Sequence, residues 1–318
     1  MRLNITRRNP FTIEHLPLIG RLHRSSFRSG CANTSSLNRF LSRMLFYPLK
    51  AVSFWQVPGK LKVRVDDKER TANYDARNRQ FSALYFDVFS DGYEPEFTTI
   101  IDALVPNDGV LYDIGSNWGF FSIHLAVRPG FKGRIHAFEP WPPTYMDLAR
   151  LVDELELGNC ITCHATALND TTGDAKMQSP SHSGLAHLSD NKGTTIHTTT
   201  LNDLDLEPPT LVKIDAEGAE EKILQGGRQF LTEHHPMLLF ENRAHRFGDE
   251  ECLKVLIMLE EIDYHLFAPN LLSSAEGLHR LELISITAET RQDHAGYPNL
   301  FACHTNDLGR LEAAVQSD

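Results

Sequence analysis

The stretch Gly109-Val-Leu-Tyr-Asp-Ile-Gly-Ser-Asn-Trp-Gly119 decides how this chain reads. Residues 110–114 are apolar apart from Asp113 and rich in β-formers, so they predict a short strand buried on both faces. The strand runs straight into Gly115-Ser-Asn-Trp-Gly119, after which 120–127 carry helical spacing. Strand, glycine turn and helix follow in that order. Glycine lets the turn bend sharply and lets a ligand approach bare backbone. The free N–H groups at the helix start favour a polar or negatively charged group.

Twenty residues beyond Gly119, a second strand over 134–138 ends in Glu139-Pro140. An acid at the tip of the second strand of a βαβ unit is placed to accept hydrogen bonds from ribose hydroxyls. Two kinds of nucleotide cofactor use that arrangement. A dinucleotide wants Gly-x-Gly-x-x-Gly, because its pyrophosphate sits on the helix N-terminus. This chain has Asp113-x-Gly115-x-x-x-Gly119 and lacks that glycine cluster. S-adenosylmethionine carries no phosphate. It carries an α-amino acid and a sulfonium, and an acid ahead of the glycines suits its ammonium, directly or through water. The turn therefore fits S-adenosylmethionine better than NAD, with Asp113, Gly115, Ser116, Asn117, Gly119, Glu139 and Pro140 as candidate cofactor residues.

Four stretches together resemble a known family: Tyr93-Glu-Pro-Glu96, Asp113-Ile-Gly-Ser-Asn-Trp-Gly119, Phe138-Glu-Pro140 and Lys213-Ile-Asp-Ala-Glu-Gly-Ala-Glu220. They are similar to the class I S-adenosylmethionine-dependent methyltransferases of the FkbM family, over roughly residues 80–305. The resemblance implies an α/β fold with a Rossmann-like, doubly wound seven-stranded sheet, mostly parallel, whose last strand is antiparallel. It implies that the acids of 94–96 lie near the cofactor's methionine end, which makes Glu94 or Glu96 a candidate; surface capping is the alternative. It implies that Ala167, at the exit of the third strand, lines the adenine. It also implies acceptors such as hydroxyls of sugars in surface polysaccharides, glycolipids or secondary metabolites.

The remaining segments fit that plan. Strands are predicted over 61–65, 161–165, 210–214, 237–240, 264–267 and 299–303, with local pairing over 279–286. Helices are predicted over 97–104, 142–157, 218–231 and 249–262. Residues 171–200 are polar, then β-branched, and predict a β-hairpin inserted after the third strand. His182, His187 and His197 fall within it and read as exposed bystanders, with substrate contact by His182 or His187 as the alternative. The expected domains are a basic N-terminal extension over 1–60, disordered in part or capping, a methyltransferase domain over 61–305, and a frayed tail over 306–318.

Charge is unevenly spread. Residues 1–50 hold nine basic residues and one acid, so the rest of the chain carries −19 within a net charge of −11. An acidic body disfavours a nucleic-acid partner and suits a small-molecule or glycan substrate. The basic arm reads as a disordered leader or cap, an organelle-targeting peptide, or a weak contact with anionic membrane. No apolar run reaches 18 residues, so no spanning helix is predicted and the chain reads as cytoplasmic. Five scattered cysteines point to reduced thiols. Cys160-Ile-Thr-Cys163-His164 lacks the second ligand pair that zinc wants, and reads as core.

Asp113, Glu139, Asp215 and Glu241 all sit at strand exits, where open α/β sheets bind ligands. Their mutual repulsion would be relieved by a cationic cofactor. For an alcohol acceptor a base must take the proton. Asp215 is best placed, followed by Glu217, then Glu241 and His245. Holding the methionine ammonium or a helix N-terminus is the alternative for Asp215, and helix-start electrostatics for Glu217 and Glu220. Glu220 would face outward or brace the loop. Magnesium wants near-octahedral oxygen ligands, and only Glu241-Asn242 follows the fifth strand, so a metal-independent reaction is expected. A non-catalytic cofactor-binding partner in glycan assembly is the alternative function.

Overall fold

The computed structural model describes residues 1–6, 8–18, 20–21, 57–65, 68–76, 78–85, 92–178, 187–189, 193–242, 250–274 and 277–316. In chain order the strands are β1 (Arg2–Asn4), β2 (Phe11–His15), β3 (Pro58–Val65), β4 (Lys68–Asp75), β5 (Val110–Ile114), β6 (Arg134–Phe138), β7 (Ile161–His164) and β8 (Thr166–Leu168). They continue with β9 (Gly173–Gln178), β10 (His187–Ser189), β11 (Thr194–Thr199), β12 (Leu211–Ile214), β13 (Met237–Glu241), β14 (Tyr264–Ser274), β15 (Gly277–Ile286) and β16 (Asn299–His304). The α-helices are α1 (Pro95–Leu104), α2 (Phe120–Ala126), α3 (Pro142–Glu154), α4 (Glu220–Gly226), α5 (Arg228–His234), α6 (Glu250–Glu261) and α7 (Leu308–Gln316).

The main sheet runs β1-β15-β14-β16-β13-β12-β5-β6-β7. The pairs from β13 through β12, β5 and β6 to β7 are parallel, and β16 lies antiparallel against β13 and β14. The sheet thus has nine strands where seven are expected. The expected seven are present, with 161–165 shortened to β7, and two more extend the far edge. β15 was predicted only to pair locally, yet it pairs antiparallel with β14 and in turn carries β1. Side chains alternate across the sheet. Leu111 and Ile135 join one core with Phe97, Ile123 and Leu148 of the first three helices. Tyr112, Ile114 and Val212 join the other core with Ile223, Leu231 and Leu256. Helices therefore cover both faces, as a doubly wound sheet requires.

Three further expectations need correction. The insertion after the third strand forms a four-stranded sheet with β8, in the order β10-β9-β11-β8, because β11 also pairs parallel with β8. Residues 306–318 are not a frayed tail over their described part: α7 buries Leu311 completely, and Arg310 donates to the Leu104 carbonyl. The boundary at residue 60 falls inside β3, which pairs with β2 and β4 in a third sheet. Within 1–60, β1 belongs to the main sheet and β2 to this third one, so the described N-terminal segments are built into the fold. Residues 22–56, which hold much of the basic arm, lie outside the described residues.

Candidate active site

The switch point lies between β5 and β12, since β6 and β7 extend to one side and β12 and β13 to the other. A crevice beyond the carboxyl ends of strands at such a point is the usual ligand site of an open α/β sheet. A cleft opens there. Its floor is Gly115, Ser116, Asn117 and Trp118 from the glycine turn, and its walls include Glu139, Pro140, Ala167, Asp215 and Glu217.

The glycine turn is dictated by contact. Gly115 has φ of 71°, and a Cβ there would stand 1.9 Å from the Asp215 carbonyl oxygen. Only glycine lets the exits of β5 and β12 touch. Ser116 is 3% exposed, lines the cleft, and its Oγ has no hydrogen-bond partner among the described residues. Glu139 is clamped by backbone: its Oε2 accepts from the Asn117 N–H at 3.0 Å and its Oε1 from the Trp141 N–H at 2.8 Å. Burial pushes its pKa up to about 7, against the pull of those two N–H groups and Lys213. Each carboxylate oxygen retains a lone pair for a ligand.

Asp113 is placed differently from the expectation. It is fully buried behind the turn, where Oδ2 accepts from Ser122 Oγ at 2.7 Å and Oδ1 lies 3.2 Å from Lys213 Nζ. A charged partner already neutralises it, so it is not left to meet a cofactor ammonium directly. Lys213 is 1% exposed. Its ammonium also donates to the Gly115 carbonyl at 3.0 Å and stands 3.7 Å from Asp215 Oδ2. Burial alone would push Lys213 down, but Asp113, Asp215 and Glu94 outweigh it and hold the ammonium above its ordinary pKa. Gly119 also stays out of the cleft; with φ of 91° it starts α2, and a Cβ would meet Leu148 at 2.6 Å.

The acidic end of the cleft gathers Glu94, Asp215 and Glu217. Glu94 is pushed up to about 8 by burial and by Asp215 beside it. Glu96 points elsewhere, accepting from Asn299 Nδ2 at 2.9 Å. Six non-glycine residues among those described have positive φ, and three of them, Glu94 (43°), Asn117 (52°) and Glu217 (53°), line the cleft. Backbone held in that region costs free energy and concentrates where function needs it.

Glu220 does brace the loop rather than face outward. Its two oxygens accept from the Ala216 and Gly218 N–H groups at 2.7 and 2.9 Å, and it is 1% exposed. Its helix is shorter than predicted, since 218–231 divides at Gly227 into α4 and α5. Glu241 does not line the cleft, but its carboxylate oxygen falls within 4.8 Å of ligating atoms of Asp215 and Glu220. The exit of β13 is pinned by buried Arg291, which donates to Asn242 Oδ1 and to the Asn242 carbonyl. His182 and His245 lie outside the described residues, and His197 is exposed. Burial pushes the Cys163 thiol up to about 11, which keeps it protonated.

The site also contains residues that sequence reading missed. Lys213 had a signal: a lysine between Val212 and Ile214 in a buried strand must have a partner. Gln80 and Met177 line the cleft from outside the four quoted stretches, and no spacing announces them; Tyr93, which opens the 93–96 stretch, lines it as well. The short helical segment after β4 supports the floor. Trp118 stacks on Phe81 with ring centroids 4.9 Å apart, and its Nε1 donates to the Gln80 carbonyl at 3.2 Å.

The fold is thus Rossmann-like, with an acid at the exit of the second strand of the parallel half and an acidic end to the cleft. Residues 113–266, just under half of the chain, match the methyltransferase FkbM domain. A comparison with curated proteins finds no match. Among solved structures, the chain is similar to a methyltransferase FkbM from Methylobacillus flagellatus KT, with 21% identity, 56% of this chain and 44% of that chain covered, and a TM-score of 0.40. The chain thus spans less than half the length of that protein. It is also similar to an O-methyltransferase from Bacillus cereus, solved in complex with SAH, at 10% identity over 66% of this chain and 80% of that one (TM-score 0.35). A third is the O-methyltransferase TomG from Streptomyces achromogenes, at 14% identity over 72% and 86% (TM-score 0.37).

Proposed function

We propose that the cleft binds S-adenosylmethionine and that the chain methylates a hydroxyl of a sugar, glycolipid or secondary metabolite. The observation that carries this reading is Glu139, whose carboxylate is fixed by two backbone N–H groups at the edge of the cleft. The cofactor, when bound, supplies an already activated methyl group. Glu139 would accept the ribose hydroxyls, Glu94 and Asp215 would face the ammonium, and the Ser116 hydroxyl would donate to the carboxylate. Asp215 and Glu217 are the side chains placed to orient an acceptor hydroxyl and receive its proton. Among the described cleft-lining residues Lys213 is the one cation, and Asp113 and the Gly115 carbonyl already engage it. That favours a neutral acceptor over a phosphate or carboxylate.

Calorimetric titration with S-adenosylhomocysteine tests the reading directly. Micromolar binding supports it, and absence of binding removes it. Glu139→Ala should weaken that binding by roughly 1–3 kcal/mol through lost charge-assisted hydrogen bonds. Unchanged affinity would mean the ribose is placed elsewhere.

The pH dependence has a definite sign. Ribose hydroxyls donate to the ionised carboxylate, whereas the empty site holds a proton on Glu139 below about 7. Binding must therefore release that proton, and affinity should fall as pH drops through about 7, with Glu94 extending the effect toward 8. Glu139→Gln should flatten the part near 7. For the fold the sign is opposite. An acid raised by folding stabilises the folded state at low pH, and this contribution fades as pH rises from the ordinary carboxylate range through about 7.

A further inference from the structure

Four strand exits follow one another along the edge of the main sheet. Asp215 leaves β12, the turn Gly115–Asn117 leaves β5, Glu139 leaves β6, and Thr166–Leu168 follow β7. The cleft is therefore graded, with carboxylates at one end, Glu139 in the middle, and an apolar end at Ala167 and Leu168. An amino acid, a ribose and a purine joined in that order match the gradient.

The inserted sheet reaches the apolar end through one side chain. Met177, on β9, is 8% exposed and lines the cleft with Ala167 and Leu168. It belongs to neither main core. Met177, Ala167 and Ile196 form a cluster of their own, with Trp141 and Ala175 packed against it. The placement is built by backbone pairing, because β11 joins β9 on one side and β8, which carries Ala167, on the other. Thr198, 2% exposed, fastens this arrangement by donating to the carbonyls of Thr171 and Gly173 at the entry to β9.

We propose that Met177 contacts the purine of the cofactor, which makes the inserted sheet part of the cofactor site. The inference rests on the reading that the cleft binds S-adenosylmethionine. A thioether suits the task, being flexible enough to follow a flat ring and polarisable enough to hold it.

The test uses two probes, S-adenosylhomocysteine and 5′-methylthioadenosine, which share base and ribose and differ in the amino acid. Met177→Ala should weaken both by the same factor, roughly 3- to 10-fold, while Met177→Leu stays within about twofold of the unaltered protein, a methionine-to-leucine exchange being nearly volume-conserving. A readout that needs no altered contact is methyl-13C labelling of the six methionines. The Met177 signal, assigned as the one missing in Met177→Leu, should shift by ring current on adding either probe to the unaltered protein. Unchanged affinity in Met177→Ala, a loss confined to S-adenosylhomocysteine, or a Met177 signal indifferent to both probes would each overturn the inference while leaving the cofactor reading intact. Failure of the unaltered protein to bind S-adenosylhomocysteine would remove both.

Discussion

Replacing Lys213 with Met should cost the fold about 3–5 kcal/mol, because it leaves the Asp113 carboxylate buried without its cation. Asp113 is 0% exposed, and after the loss it would keep only the Ser122 hydroxyl. The Gly115 carbonyl would lose a donor too, in the turn that forms the cleft floor. Urea denaturation reads the effect as a lower midpoint at unchanged slope. The double replacement Asp113→Asn with Lys213→Met removes both charges and should regain a large part of the loss. A Lys213→Met protein as stable as the parent would mean that the Lys213–Asp113 pair contributes nothing to the fold.

Deleting residues 1–15 should leave a chain that does not fold. Leu3 and Phe11 are 1% and 7% exposed, and losing them costs about 1.5–3 kcal/mol each. Phe11 stacks on Phe120 at 5.1 Å and meets Trp118 edge-on at 5.5 Å, so the cleft floor loses support as well. Arg8 pairs with Asp102 at 2.6 Å, and Asp102 also holds buried His124 at 3.0 Å. Burial alone would raise Asp102, yet His124 and Arg8 keep its carboxyl well below the usual range. Breaking a pair of this kind costs roughly 3–5 kcal/mol. Together these losses approach the whole stability of a typical domain, about 5–15 kcal/mol. Circular dichroism and S-adenosylhomocysteine titration of the shortened chain check the point. A folded product that binds like the parent would show the segment to be dispensable.

The parallel half of the sheet and the glycine turn were legible because local rules and tertiary demands agree there. Val110–Ile114 is apolar apart from Asp113, short and followed by glycine, and a buried strand satisfies all three facts. That Glu139 and Ala167 reach the cleft was legible from the distance to Gly119 and the place after the third strand. Asp113 misled, because a sequence shows an acid near a turn without showing which way it faces. Strand alternation sends Leu111 and Asp113 to the α2 side, where Ser122 and Lys213 wait. Met177 and Gln80 were invisible, since no local pattern marks which residue of the inserted sheet or of the segment after β4 lines the cleft. The N-terminal strands were hidden for another reason: β1 finds its partner about 280 residues away at β15.

Strand β1 has one more consequence. It is only three residues long, yet it occupies the outer edge of β15 at positions 280–282. Without it, β15 would present unpaired amide and carbonyl groups along an open rim that also carries buried Leu281 and Leu283. Such a rim is a template on which a second unfolded or half-folded chain can add a strand. Arg2, ion-paired with Glu282 at 2.8 Å, then places a charge where an adding strand would have to lie. The chain's first few residues therefore act as its guard against edge-to-edge aggregation, a job separate from anything the cleft does.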